Sequence, residues 1–281
     1  MLQFEVDAGL CAACGLCADD CPAKIINMET GQPAIAPERE ENCLRCQHCM
    51  AVCPSGAISI LGVRPEELQP VPERFPDLPA LETLIRGRRS VRNYKDENVD
   101  PVLLAHLLEV AWQAPTGKND RQVQFTVVDD RKKMDALRSR VMRGIGSLAA
   151  KNALPEKLAF YANFARKWEE HGTDIVFRGA PHLLIATAPA SCATPMADCL
   201  IALTTFDLFA QAHGLGTAWV GYANWAIDVL VPEVKQEMGI PADHVFGYCI
   251  IFGKPAVQYA RTVLHKNALI HRATCGGAGV N

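Results

Sequence analysis

The sequence of 281 residues predicts an α+β protein in two parts, a small cysteine-rich domain followed by a larger α+β domain. Three observations support this: cysteines concentrated near the N-terminus, prolines concentrated between residues 61 and 80, and mixed helix and strand patterns after residue 80. The length itself also favours two domains. We therefore expect a first domain over residues 1–62, a linker over 63–80 and a second domain over 81–281.

Eight of the twelve cysteines form two copies of one spacing, C-x2-C-x2-C-x3-C followed by proline. Bacterial two-cluster ferredoxins hold two [4Fe-4S] clusters with this spacing, and the last cysteine of each run binds the other cluster. We therefore define a first cysteine set, Cys11, Cys14, Cys17 and Cys53, and a second cysteine set, Cys43, Cys46, Cys49 and Cys21. Each set is predicted to hold one [4Fe-4S] cluster. The alternative is two structural zinc ions, although zinc sites more often use separated C-x2-C pairs.

Composition and charge exclude several classes of protein. The chain is 49% hydrophobic and 21% charged with a net charge of −3, which is ordinary for a globular protein. Residues 1–60 are acidic, which suits a basic redox partner, although a solvated acidic surface is the simpler explanation. Neither part has the basic excess of a nucleic-acid-binding protein. No apolar run is long enough to span a membrane and no secretion signal is evident, so we expect a cytoplasmic protein with no membrane partner.

The chain after the first domain shows recognisable elements. Pro65, Pro70, Pro72, Pro76 and Pro79 favour an extended, semi-rigid linker. Helices are expected over 100–113, 130–142, 155–170, from 194 to the glycine stop at 213–214, and from near Asp228. Strands are expected over 125–128, 183–188, 217–220 and 245–252. These elements predict an α+β domain of about 200 residues.

Some patterns favour structural explanations. The glycines at 144 and 146 fit a dinucleotide fingerprint on paper, but they follow a helical pattern and not a strand, so we expect no such site. Cys199 and Cys249 are predicted to be buried thiols, and Cys192 and Cys275 show no ligand spacing. A stripe of Phe160, Phe164 and Trp168 favours a core or dimer contact over a lid.

Two segments of the second domain indicate cofactor chemistry. Arg86, Arg88, Arg89 and Arg92 lie within seven residues, beside Ser90, and arginine side chains match phosphate oxygens. A solvated basic surface is the alternative for this segment. The loop Ala114-Pro115-Thr116-Gly117-Lys118-Asn119 offers backbone donors and an amide to a flat heterocycle, and a plain connector is its alternative.

In this order the segments resemble the FMN-dependent nitroreductase family. The resemblance covers roughly residues 81–281 and is carried by RRSVRNY (88–94), APTGKN (114–119), HGLGTAWVGY (213–222) and GKP (253–255) followed by Arg261. It implies a nitroreductase-like α+β domain that forms a homodimer, with FMN bound at the subunit interface. Preceded by two ferredoxin-type cysteine runs, the chain is similar to a ferredoxin-fused branch of that family.

The resemblance also implies roles for individual residues. Arg88, Arg89 and Ser90 would hold the FMN phosphate and ribityl chain, Arg92 would face the pyrimidine edge, and Arg261 would return to the phosphate, with Lys266 as a weaker candidate. Pro115, Thr116, Gly117 and Asn119 would come from the second subunit, and Gly221, in the turn after Trp219, would present backbone amides to the flavin. Arg121 stands where the family usually has a neutral residue, which leaves its contact with the ring open. No motif fixes a catalytic acid or base.

The sequence therefore predicts an FMN-dependent oxidoreductase that receives electrons through two [4Fe-4S] clusters from an external low-potential donor such as ferredoxin. The expected acceptor is a small electron-poor molecule: a nitroaromatic, a quinone or an activated alkene. Two alternatives stay open at this point. One is a non-catalytic electron carrier or redox sensor, and the other is a reductive dehalogenase or dehydrogenase that uses the same flavin site.

Overall fold

The computed structural model describes residues 1–71 and 77–273. Cys275 and the prolines at 72 and 76 lie outside the described residues. Within those residues, no helix combines the length and the apolar character needed to cross a bilayer. The α+β fold class expected from the sequence is confirmed by the order of helices and strands described below.

The N-terminal domain consists of short elements arranged as two similar halves. In chain order they are β1 (Glu5–Val6), α1 (Leu16–Asp19), β2 (Ile26–Asn27), β3 (Ala34–Ile35), a 3-10 helix (Pro37–Asn42), α2 (His48–Ala51) and β4 (Ile58–Ser59). β1 pairs with β4 and β2 with β3, both antiparallel. Its small core includes Leu2, Ile25, Ile58 and Ile60, each at most 4% exposed. With so little core, metal clusters would be a large part of the domain's stability.

The linker ends earlier than expected. A 3-10 turn occupies Pro65–Glu67, and helix α3 (Leu78–Gly87) begins three residues before the predicted boundary at residue 81. Asp77 caps α3 by accepting a hydrogen bond from the Ala80 amide at 3.1 Å. Pro79 lies in the first turn of this helix, where proline is tolerated because its missing amide proton has no intrahelical partner. Proline density alone therefore overestimated the length of the extended region.

The larger domain is built round a four-stranded sheet. After α3 the elements are α4 (Pro101–Trp112), a 3-10 turn (Gly117–Asn119), β5 (Gln124–Val128), α5 (Arg131–Ala150), a 3-10 turn (Glu156–Leu158), α6 (Tyr161–His171), β6 (His182–Pro189), α7 (Pro195–Ala212), β7 (Gly216–Trp219), α8 (Gly221–Trp225), a π-helical turn (Ala226–Leu230), α9 (Glu233–Glu237) and β8 (His244–Gly253). The strand order is β5-β6-β8-β7 and every pair is antiparallel. Two hydrophobic clusters cover its faces, one containing α5 and α6 and the other α4 and α7.

Most elements lie where the sequence predicts them, and α5 is the largest difference in length. It was expected to end at Met142 but continues to Ala150, because Gly144 and Gly146 lie inside the helix. A Cβ at Gly144 would lie 2.8 Å from a methyl group of Val231, so glycine allows α5 to approach that residue. The glycine pair is therefore a packing feature of a helix, as its context suggested.

The helical region expected from near Asp228 begins earlier and is divided. Helix α8 begins at Gly221 and runs into a π-helical turn that contains Asp228. Its carboxylate pairs with the ammonium group of Lys235 at 2.7 Å and does not cap a helix. Gly221 likewise begins a helix and does not lie in a simple turn. The 155–170 helix is also divided, into a 3-10 turn and α6.

Candidate functional site

The structure places the eight ferredoxin-type cysteines around two cavities. Cys21, Cys43, Cys46 and Cys49 line one cavity, and Cys11, Cys14, Cys17 and Cys53 line another. Each group is one of the cysteine sets defined above, so each cavity takes its fourth sulfur from the other run. This is the grouping that crossed ligation of two clusters requires.

The two halves use the same local geometry to bring their sulfurs inward. Gly15 (φ 77°) and Gln47 (φ 60°) lie immediately before α1 and α2, and both adopt the left-handed conformation. Glycine adopts this conformation freely, whereas glutamine pays a steric cost for it. Each short helix then carries one buried cysteine, Cys17 in α1 and Cys49 in α2. The same turn is repeated in front of both cavities and is strained at Gln47, which indicates that the loop shape serves a binding site.

The surroundings of the sulfurs suit iron–sulfur clusters. Backbone amides donate to sulfur at Cys43 (from Arg45, 3.4 Å) and at Cys53 (from Ala57, 3.3 Å). Burial raises the pKa of the Cys53 thiol, but hydrogen bonds from Ala57, Ser55 and Gly56 outweigh it, so its pKa is lowered. Burial raises the pKa of Cys49 to about 12. Such a buried thiol ionises readily only when a metal centre replaces its proton.

The grouping of the sulfurs also argues against a mononuclear site. Among residues 1–71 and 77–273, no three histidine, cysteine or acidic side chains lie close enough together to hold a single metal ion. A structural zinc site closes four ligands round one ion with Zn–S distances of about 2.3 Å. In this protein the four sulfurs of each set instead lie round the wall of a cavity. The donor set therefore fits a polynuclear cluster.

The arginine-rich segment after α3 lies against the edge strand of the larger domain. Ser90 forms an isolated parallel bridge with Thr217 of β7, and the Val91 amide donates to the Thr217 carbonyl at 2.8 Å. Gly216 is required here, because a Cβ on it would lie 2.7 Å from Cβ of Val91. The backbone of this segment is thus held in extended form along the sheet edge.

A buried carboxylate that sequence reasoning missed anchors this segment. Asp207 of α7 is 3% exposed and accepts hydrogen bonds from Trp219 Nε1 (3.0 Å), Gln211 Nε2 (2.8 Å) and the Thr217 hydroxyl. Arg88 Nη1 lies 3.5 Å from its Oδ2. Gln211 in turn accepts a hydrogen bond from the Arg89 amide at 3.2 Å. Two polar residues four apart in the apolar helix ALTTFDLFAQA are the sequence signal for such a network.

The arginine side chains of the segment retain capacity to bind an anion. Nε of Arg89 is buried and has no hydrogen-bond partner among the described residues. An orphaned guanidinium donor costs free energy unless a ligand satisfies it, and phosphate is a common partner. The Arg92 guanidinium contacts the Ser90 carbonyl at 3.3 Å and is otherwise exposed. These features fit a phosphorylated cofactor.

The C-terminal segment returns to the arginine-rich segment. A Cβ built on Gly87 would lie 4.0 Å from a methyl carbon of Thr262, so the neighbouring Arg261 lies close to the start of that segment. Arg261 and Lys266 are both exposed.

The loop after α4 is fixed by the N-terminal end of α7. The Gly117 amide donates to the buried Asp198 carboxylate at 2.9 Å, and the Thr194 hydroxyl donates to the same oxygen at 2.8 Å. A Cβ at Gly117 would lie 2.1 Å from that hydroxyl oxygen, so only glycine fits. Pro115 and Thr116 precede this anchor. Asn119 follows it, and its side-chain amide donates to the carbonyl oxygens of Leu44 (2.9 Å) and Arg45 (3.2 Å) of the N-terminal domain.

The Arg121 side chain packs against the end of α4 and the start of this loop. Its guanidinium donates to the carbonyl oxygens of Gln113 (3.3 Å) and Ala114 (2.9 Å) and stacks on Trp112, with Cζ 4.7 Å from the ring centroid. It thus satisfies carbonyl groups at the end of α4. Within the described residues, Arg121 therefore supports the end of a helix.

Gly221 lies beside a group of aromatic side chains. A Cβ on Gly221 would lie 3.1 Å from the Tyr248 hydroxyl. The Tyr161 hydroxyl donates to the Tyr222 carbonyl at 2.6 Å, and burial raises the pKa of Tyr161, which keeps it a donor. Phe164 packs edge-on against Tyr222 at 5.0 Å. Of the aromatic stripe, Phe164 and Trp168 pack against the core and Phe160 is 40% exposed. The stripe is thus largely core, with one ring near Gly221.

In one protomer, the arginine segment and the Pro115–Asn119 loop lie far apart. β5 and β7 are the two edges of the sheet, three strand spacings or about 14 Å apart. Gln124, at the start of β5, pairs with Thr187 of β6, which pairs with Phe246 of β8. Thr217 of β7 pairs with Phe252, six residues further along β8, which adds roughly 20 Å along the strands. Along α7, Asp198 and Asp207, which hold the two segments, are nine residues or about 14 Å apart.

These features define a flavoprotein-type α+β domain joined to a dicluster domain, and comparison with known proteins agrees. Residues 85–254 match the Nitroreductase family, and residues 10–58 match the 4Fe-4S dicluster domain. The chain therefore belongs to the nitroreductase family and carries an N-terminal 4Fe-4S dicluster domain.

Similar proteins support both parts. A putative NADH dehydrogenase/NAD(P)H nitroreductase of Methanothermobacter thermautotrophicus is 25% identical over 177 residues, 61% of this chain and 75% of that protein. An uncharacterized ferredoxin of Methanocaldococcus jannaschii is 33% identical over 61 residues, 21% of this chain and 95% of that protein. The crystal structure of a nitroreductase with bound FMN from Bacteroides fragilis superimposes with a TM-score of 0.54 at 23% identity, covering 68% of this chain and 98% of that one. This last likeness shows the fold.

Proposed function

We propose that the protein is an FMN-dependent oxidoreductase that takes electrons through two [4Fe-4S] clusters and reduces a small electron-poor molecule. The substrate classes are nitroaromatics, quinones and activated alkenes. The observation that carries the proposal is the presence, in one chain, of two four-cysteine cavities and a nitroreductase-family domain. An unpaired buried guanidinium nitrogen in that domain supports a phosphorylated cofactor.

The proposed FMN site uses the arginine-rich segment for the phosphate. Arg88 and Arg89 would bind the phosphate oxygens with Arg261, which approaches the same segment, and Ser90 would bind the ribityl chain. The exposed Arg92 would lie at the pyrimidine edge of the ring, where a positive charge favours the reduced, anionic flavin. Gly221 would bring its backbone close to the ring, because it carries no Cβ to obstruct that approach.

A second protomer would complete the site. Pro115, Thr116 and Gly117, with Asn119 at the end of the loop, lie at the opposite corner of the sheet from the arginine segment of the same chain. We therefore assign them to the flavin held by the other protomer of a homodimer. Exposed apolar side chains on α7, including Met196 at 45% and Ile201 at 41%, supply a surface for that dimer.

When bound, FMN supplies the step that single-electron clusters lack: it collects two electrons and delivers them together as a hydride equivalent. The residues of this chain hold and orient the cofactor. Asp207 and Gln211 keep the arginine segment in place, and Asp198 fixes the loop that contains Gly117. No motif fixes a catalytic acid, so we assign the substrate proton to solvent.

Attached clusters favour a one-electron donor such as ferredoxin over a nicotinamide as the direct source of electrons. A nicotinamide carries a hydride and would have no need of them. The test is anaerobic purification with assay of iron, sulfide and FMN, followed by reduction with dithionite, ferredoxin and NAD(P)H in turn. We expect about eight irons and one FMN per chain, and turnover of a nitroaromatic or quinone with ferredoxin.

Three results would contradict parts of the proposal. Absence of FMN would remove the oxidoreductase site, and zinc in place of iron would remove the electron path. Turnover at full rate with NAD(P)H alone would contradict the choice of donor. Rapid reduction of bound FMN without turnover of any acceptor would instead support a non-catalytic electron carrier.

A further inference from the structure

The two cysteine sets differ in their contacts with the larger domain. The Asn119 amide donates to the carbonyl oxygens of Leu44 and Arg45, which lie between Cys43 and Cys46 of the second cysteine set. Leu44 also lines the cavity of that set. In residues 1–71 and 77–273, these two are the side-chain hydrogen bonds that join the N-terminal domain to the larger one. They bring the second cysteine set next to the loop of the proposed flavin site.

The contact rests on a rigid support. Lys118 (φ 53°) and Asn119 (φ 57°) adopt the left-handed conformation, and the backbone N–H of Asn119 donates to the Thr116 carbonyl at 3.0 Å. The loop is further fixed by the Gly117–Asp198 hydrogen bond. Asn119 is therefore already ordered before the two domains meet, so forming the contact costs less conformational entropy.

The internal repeat offers a comparison within the same chain. In the first cysteine set, Ala12 and Ala13 occupy the positions of Leu44 and Arg45, and the backbone is the same, with φ 52° at both Ala13 and Arg45. One loop shape is therefore presented twice, but the copy with the larger side chains is the one that meets Asn119. The pseudo-symmetric domain is used asymmetrically.

We propose that the second cysteine set holds the cluster that passes electrons to the flavin, that the first cysteine set holds the cluster that an external one-electron donor reduces, and that Asn119 is the docking residue between the domains. This rests on the proposed function. Each electron lost by the donor would reduce the first cluster and then pass to the second cluster, which would leave the first oxidised again. Two such electrons, passed on with a proton from solvent, would reduce the flavin and leave the second cluster oxidised.

The first test removes the docking hydrogen bonds without changing side-chain size. Asn119→Asp replaces the donating amide with a carboxylate that repels the two carbonyl oxygens, and Asn152→Asp is the control because Asn152 is exposed at the end of α5. In rapid mixing with titanium(III) citrate, cluster reduction should keep its rate in both variants. Loss of two hydrogen bonds should slow the cluster-to-flavin step about tenfold in Asn119→Asp alone. Hydrogen exchange should also accelerate in residues 43–47.

The second test removes one cluster at a time in the full chain. Without the second cluster (Cys46→Ser), the first cluster should still be reduced, as its electron paramagnetic resonance signal reports, while flavin reduction falls to a small fraction of the wild-type rate. Without the first cluster (Cys14→Ser), titanium(III) citrate should still reduce the flavin, while ferredoxin should not. The opposite pattern, or unchanged transfer and exchange in Asn119→Asp, would overturn the inference. If the protein bound no FMN, the proposed function would fail, but hydrogen exchange would still decide whether Asn119 docks the domains.

Discussion

Loss of the Asp207 carboxylate should show how far a residue that is not assigned to the cofactor supports the cofactor site. This buried carboxylate accepts hydrogen bonds from three side chains of α7 and β7 and lies 3.5 Å from Arg88. Asp207→Asn keeps the side-chain volume but replaces one accepting oxygen with an NH2 group, which is a donor. At least one of the surrounding donors then loses its acceptor. The change also removes the charge that pairs with Arg88.

The magnitude follows from the burial of the two partners. Removing one partner of a fully buried ion pair costs about 3–5 kcal/mol, but Arg88 is 33% exposed and water compensates part of that loss. Loss of a hydrogen bond to a charged group costs about 1.5–3 kcal/mol. We therefore expect Asp207→Asn to lower the free energy of unfolding by about 2–3 kcal/mol. FMN should also bind more weakly, because Arg88 and Arg89 lose their fixed position.

Urea unfolding followed by tryptophan fluorescence measures this in the full chain, since all four tryptophans lie in the larger domain. Asp243→Asn at an exposed position is the control. Trp219→Phe removes one donor to the same carboxylate, so its effect should not add to that of Asp207→Asn. An unfolding midpoint equal to that of the control, together with unchanged FMN affinity, would refute the reasoning.

Three further predictions test other parts of the structure. Gly144→Ala should destabilise the larger domain by about 1–3 kcal/mol, because the new Cβ would meet Val231. Gly146→Ala, whose Cβ would have its nearest neighbour at 4.0 Å, should instead stabilise α5 by up to about 1 kcal/mol. Equal effects of the two variants in urea unfolding would contradict the packing described. Hydrogen bonding from Asn98 lowers the pKa of Asp130, so the stability that Asp130 contributes is present above the unfolded-state pKa and is lost as pH falls through the lower folded-state pKa. The difference in unfolding midpoint between wild type and Asp130→Ala should therefore shrink below about pH 4. A constant difference would count against the assignment. Cys53→Ala should abolish the same cluster signal as Cys11→Ala, although Cys53 lies in the other cysteine run, and loss of the signal that Cys43→Ala removes would instead indicate uncrossed ligation.

The sequence predicted best where a single local rule determines the structure. The capping side chain of Asp100 and the proline at 101 defined the start of α4, and the observed Asp100–Leu103 hydrogen bond at 2.9 Å is the one that such a cap makes. The cysteine spacing likewise predicted which four sulfurs would be neighbours. The cap is fixed by adjacent residues and a few dihedral angles, and three cysteines of each set are close in sequence, while the repeated spacing itself indicates the exchange of the fourth.

Prediction failed where distant residues decide. α5 continues through Gly144 because Val231 packs against it, and no pattern within α5 reveals that neighbour. The direction of Arg121 is decided by Trp112 and the carbonyl groups at the end of α4. Asp207 and Gln211 were missed because the helix is otherwise apolar, and their role requires knowing that Thr217, Trp219 and the arginine segment converge on them.

α7 links the two halves of the proposed cofactor site in a way that neither half shows alone. Near its N-terminus Asp198 holds Gly117, two residues before Asn119, and near its C-terminus Asp207 and Gln211 hold Arg88 and Arg89. A helix is stiff over this length, so the distance between the cluster contact and the phosphate-binding segment is set by one element. The proposed flavin lies between the arginine segment of one protomer and the Pro115–Asn119 loop of the other. Each α7 would therefore support the phosphate-binding segment of one flavin and the loop that contacts the second flavin of the dimer. A substitution at Asp198 should therefore disturb electron transfer from the second cysteine set while leaving phosphate binding by the same protomer intact.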